Sequence, residues 1–80
     1  MPVVLRHRGY RFFFYSNEGS PREPIHVHVL GAEGEAKFWL HPEPHLADSE
    51  GFNASTLREL LRVVASNAEL IENSWHEHFS

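Results

Sequence analysis

The stretch Ile25-His26-Val27-His28-Val29-Leu30-Gly31-Ala32-Glu33-Gly34-Glu35-Ala36-Lys37-Phe38-Trp39-Leu40 decides the fold. Apolar and polar side chains alternate on both sides of a glycine-flanked turn, and a period of two is the mark of a strand with one buried face. Strands are predicted over 25–30 and 35–40. Ile25, Val27 and Val29 point one way and His26 and His28 the other; in the next strand Ala36, Phe38 and Leu40 oppose Glu35, Lys37 and Trp39. A symmetric loop over 31–34 sets His28 opposite Lys37 and His26 opposite Trp39.

Upstream lies a second hairpin. Val3-Val4-Leu5 leads into Arg8-Gly9, a tight-turn pair, and Tyr10 to Tyr15 is dense in β-favouring aromatics. A turn at Arg8-Gly9 places His7 opposite Tyr10, Arg6 opposite Arg11, and Leu5 and Val3 against Phe12 and Phe14. Phe13 and Tyr15 fall on the other face, with Val4 and the arginines. Residues 16–24 are rich in turn formers and read as a loop.

Downstream, Pro42 and Pro44 end the sheet, and 41–52 reads as an irregular linker. Helical spacing follows over 53–79. Asn53 is the expected N-cap before the stripe Leu57, Leu60, Leu61 and Val64. Ser66-Asn67-Ala68-Glu69 has the form of a capping box, followed by a second stripe of Ala68, Ile71, Trp75 and Phe79. One kinked helix or two short ones satisfy this pattern equally. The fold class is α+β: a four-stranded antiparallel sheet of two hairpins, covered on one face by C-terminal helix, in a single domain over 1–80.

Composition narrows the function classes. The chain has 80 residues, 41% hydrophobic and 22% charged, as in an ordinary globular domain. No apolar run reaches the roughly 20 residues needed to cross a bilayer. Met1 to Arg11 mixes Val3, Val4 and Leu5 with Arg6, Arg8 and Arg11, unlike a signal peptide or anchor. With no cysteine there is no disulfide framework, thiolate site or cysteine nucleophile, and a cytoplasmic location is expected. The net charge of −4 is uneven: the first 30 residues are basic and the remainder acidic. Nucleic-acid binders carry a dense basic surface. An acidic balance disfavours RNA, and any such contact would use the first 30 residues. Seven histidines make the charge sensitive to mild acid.

The chain resembles a bacterial family catalogued as domain of unknown function 4160. The matching pieces are Gly9-Tyr10-Arg11-Phe12-Phe13-Phe14-Tyr15-Ser16-Asn17-Glu18, Pro24-Ile25-His26-Val27-His28-Val29 and Glu35-Ala36-Lys37-Phe38-Trp39-Leu40, continuing through Leu46-Ala47, Gly51-Phe52 and Trp75-His76-Glu77-x-Phe79. His41 and His45 depart from the usual pattern and inherit no role from it. What the resemblance implies is a small protein often encoded beside another short domain, as in a toxin–antitoxin pair. It implies no activity.

Several side-chain sets are candidates for chemistry. His26, His28 and Lys37 share a face, and two imidazoles beside an ammonium suit general acid–base hydrolysis of a phosphodiester or RNA. Histidines two apart on a strand also suit a divalent metal such as zinc or nickel, with His76 as third ligand and His78 or Glu72 as substitutes. Lys37 opposes that assignment, since a cation beside the ion costs electrostatic energy. A polar histidine pair on a solvated strand explains the same residues without chemistry. Arg6 and Arg11 form a like-charge pair that an anion, or acids of the same chain, would neutralise. Phe13, Tyr15 and Trp39 cannot reach a core on the other face, so they predict an exposed aromatic interface. His76 and His78 near a helix C-terminus are favoured by the dipole, and their spacing is not that of a zinc protease. The leading reading is a module binding a protein partner encoded by a neighbouring gene, or a second copy of itself. The alternatives are a histidine-dependent ribonuclease or phosphodiesterase, and a metal-binding protein.

Overall fold

A computed structural model describes residues 3–16 and 23–79. The chain forms β1 (Val3–His7), β2 (Tyr10–Phe13), β3 (His26–Leu30), β4 (Glu35–Trp39), β5 (His45–Glu50), α1 (Ala54–Ser66) and α2 (Ala68–Phe79). The strands make one antiparallel sheet in the order β1-β2-β3-β4-β5. Most of the loop expected over 16–24 lies outside the described residues. Among the described residues no helix is long and apolar enough to cross a membrane.

The deciding hairpin has the expected register: His28 pairs with Lys37 and His26 with Trp39. β3 starts one residue late and β4 stops one early, yet Leu40 N still donates to Ile25 O at 3.1 Å. The first hairpin turns at Arg8 (φ 51°) and Gly9 (φ 84°). Positive φ at both central residues is the type I′ geometry whose twist matches the flanking strands. Arg6 pairs with Arg11 and Leu5 with Phe12, as the turn predicts. Val3 departs from expectation, because an irregularity between Val3 and Leu5 moves it to Phe13 instead of Phe14.

The linker expected over 41–52 is corrected by a fifth strand. His45-Leu46-Ala47-Asp48-Ser49-Glu50 carries little β-propensity, and every other residue is exposed along most of its length. Its backbone pairs with β4 all the same, with a register shift between Lys37 and Phe38. Backbone pairing outweighs weak propensity on an edge strand, where one side meets water. Where β5 leaves the sheet it crosses the β3–β4 turn at close range. A Cβ on Gly34 would overlap the Glu50 carbonyl, and one on Gly51 the Glu33 carbonyl. Gly51 also sits at φ +93°, a region that L side chains rarely adopt.

Asn53 caps α1, its side chain accepting from Thr56 N at 2.8 Å. The helical region divides into two. Ser66, expected to cap the second helix, is the last residue of α1; Asn67 does the work at the break. Its backbone N–H reaches the Val63 and Val64 carbonyls, its side-chain amide donates to Val63 O at 2.8 Å, and its own carbonyl accepts from Ile71 N at 2.9 Å. One residue therefore ends α1 and opens α2. Both helices pack on the sheet face that presents Phe12, Phe14, Val27, Val29, Ala36 and Phe38, closing a core with Leu60, Val64, Ile71 and Trp75. Phe38 and Trp75 are both buried there, as expected.

Candidate functional site on the open sheet face

The face away from the helices is built in rows by the strand register. One row runs Arg6, Arg11, Leu30, Glu35, Glu50 from β1 to β5, each residue directly opposite the next. A second runs Phe13, His28, Lys37, Asp48 from β2 to β5. Residues paired this way have Cβ atoms about 5 Å apart, so each row is a contiguous set of side chains.

The predicted exposed aromatic patch is corrected. Phe13 is only 1% exposed. Its ring stacks on His28 at 5.7 Å between centroids, and Tyr15 meets it edge-on at 5.1 Å. Tyr15 also lies 4.6 Å from the His28 ring, and its hydroxyl donates to Glu35 Oε1 at 2.9 Å. The aromatic and imidazole rings of this face cover one another, which removes apolar area from water. Tyr15 stays exposed and Trp39 half-buried.

His26 departs furthest from expectation. Strand alternation sends it to the solvated face, yet none of its surface is exposed. β2 ends at Phe13, before its register would cover that end of β3, and Trp75 of α2 there contacts both Phe14 and His26, with centroids 5.3 and 5.0 Å apart. Trp39 and His28 flank its ring at 5.4 and 5.2 Å. Its Nδ1 donates to the Pro24 carbonyl at 2.8 Å, so this burial carries a hydrogen bond. An acid–base scheme on His26 and His28 needs both rings within reach of a substrate. Only His28 of the two meets solvent. The metal set is not assembled either: among the described residues no three His, Asp or Glu side chains gather for an ion, and His76 is exposed on α2.

Lys37 lies in the middle of the open face. Its Nζ donates to Glu23 Oε1 at 2.9 Å and sits 4.3 Å over the Trp39 ring. Beside it is an open depression of about 220 Å³ bounded by Tyr15, His28, Glu35, Asp48 and Glu50. It is too shallow to exclude water from a reacting centre. Asp48 and Glu50 were missed as members of this face because they belong to the unpredicted strand. Glu59 was missed altogether: from α1 it accepts from His7 Nε2 at 2.9 Å and Arg8 at 3.5 Å, stapling the first hairpin to the helix. The hydrogen bond from His7, together with the Arg8 and Arg62 charges, holds its carboxyl below the usual range against partial desolvation. No feature of the sequence pairs position 59 with position 7. His41 bonds Glu72 of α2 at 2.8 Å, tying the segment after β4 to that helix, whereas His45 reaches only the nearby Glu43 carbonyl at 2.7 Å.

The model of the domain of unknown function DUF4160 matches residues 9–76. The chain belongs to this family. The matched span of this DUF4160 domain takes in the Arg8–Gly9 turn's second residue, the whole of β2 to β5, and the helices as far as His76. Among curated proteins and solved structures none matches the chain.

Proposed function

We propose that this DUF4160 domain is a protein-binding module that docks a partner on its open sheet face, in a gene pair of toxin–antitoxin type. The observation that carries the reading is one-sidedness. Both helices pack on one face, while the other displays Tyr15, His28, Lys37 and Trp39 between basic and acidic flanks. Aromatic and long cationic side chains on a flat, partly apolar surface suit protein docking better than catalysis, which needs a cleft that sheds water. The burial of His26 points the same way, leaving the imidazole pair unable to act together on a substrate.

Calorimetry of the purified chain against the purified product of the adjacent gene tests the proposal. Lys37→Glu, on the open face, is expected to weaken binding at least about tenfold, the range for a central interface charge. Glu69→Lys, an exposed charge on α2, is expected to leave it unchanged. No binding, or equal loss from both variants, would refute the reading.

A further inference from the structure

The outer row of the sheet has an internal symmetry. From β1 to β5 it reads Arg6, Arg11, Leu30, Glu35, Glu50: two cations, an apolar centre, two anions. Both ends set like charges directly opposite each other, Arg6 with Arg11 and Glu35 with Glu50, an arrangement that is unfavourable within one chain. Among the described residues, the ion pairs are those of His7 and Arg8 with Glu59, Lys37 with Glu23, and His41 with Glu72. None neutralises Arg6, Arg11 or Glu50.

We propose that a second copy of this chain docks on the open face, related by a two-fold axis that runs along β3 between the two sheets. Such an axis reverses the strand order and keeps each row at its own height. Arg6 then meets Glu50 of the second copy, Arg11 meets Glu35, and Leu30 meets Leu30. Every like-charge pair within one chain becomes an opposite-charge pair between two. Sheets stack about 10 Å apart, a gap that an arginine and a glutamate span together, and long side chains absorb the offset that sheet twist adds. The interface is isologous, the commonest kind in closed dimers. Five strands about 4.8 Å apart and some five residues long offer roughly 400 Å² per copy, so the dimer is weak and governed by charge.

The inference rests on the open face being a docking surface and names its occupant when no other partner is bound. Sedimentation of the purified chain over a concentration series tests it, at about 50 mM and about 500 mM salt, where the screening length falls severalfold. Expected is a dimer fraction that grows with concentration at low salt and collapses at high salt. Arg6→Glu and Glu50→Arg alone should each be monomeric. Both variants keep their fold, because each converts a like-charge cross-strand pair into an opposite one, and a raised melting temperature would show it. Mixing the two variants should restore the dimer, since each then supplies the charge that the other reversed. A wild-type chain that stays monomeric at low salt would overturn the proposal, as would variants that dimerise like the wild type or a mixture that does not associate. Binding of the adjacent gene product to a monomeric chain would remove the second copy alone and leave the partner-binding reading standing.

Discussion

His26 and His28 stand two residues apart on β3, yet Trp39 and Trp75 enclose the first while the second meets solvent. Alternation of the sequence shows that they share a side of the strand, and they do. It does not show where a neighbouring strand ends. Because β2 stops at Phe13, Trp75 reaches that end of the sheet and buries His26, a long-range event that no local pattern records. His26→Ala should therefore cost about 2–4 kcal/mol in urea unfolding, as large-to-small changes in a packed site do. His28→Ala should cost about 1 kcal/mol or less, since its ring covers Phe13 from the solvent side. Equal effects would contradict the difference in environment. Gly51 is a sharper case. Gly51→Ala places a Cβ against the Glu33 carbonyl at a φ that L residues resist, so a loss of at least about 2 kcal/mol is expected. A melting temperature unchanged by this substitution would show that the β3–β4 turn and the β5 exit do not pass as closely as described.

Elements were legible where pattern and propensity agree. The β3–β4 hairpin repeats its alternation on both sides of a glycine turn, and Arg8-Gly9 fixes the register of the first hairpin over Leu5 to His7. β5 was not legible, because Ala47, Asp48, Ser49 and Glu50 form a poor strand by propensity and only pairing with β4 makes them one. The break between the helices was legible as a break but not as the residue that makes it, Asn67 instead of Ser66. Contacts between elements distant in sequence were invisible, and Glu59 shows the consequence. Its carboxyl is held below its ordinary pKa chiefly by the hydrogen bond from His7. A carboxyl depressed by folding stabilises the native state above its unfolded pKa, and that contribution is lost as pH falls through the folded value. The gap in melting temperature between wild type and Glu59→Gln should be complete at neutral pH, shrink through the carboxylate range, and close below the folded pKa. A gap independent of pH would mean that the staple owes nothing to the charge on Glu59.

At the scale of the whole molecule, the helices close one face of the sheet, and the proposed docking surface is the other. The two tryptophans of the chain report on the two sides: Trp75 is buried in the core, and Trp39 is half-buried beside Lys37 on the open face. Trp75→Phe leaves Trp39 as the sole indole, and Trp39→Phe leaves Trp75. The most direct measurement is acrylamide quenching of each single-tryptophan variant, alone and saturated with the adjacent gene product. Docking on the open face predicts that Trp39 becomes shielded and its emission shifts to the blue, while Trp75 remains equally shielded throughout. Saturable binding that leaves Trp39 as open to quencher as before would contradict it.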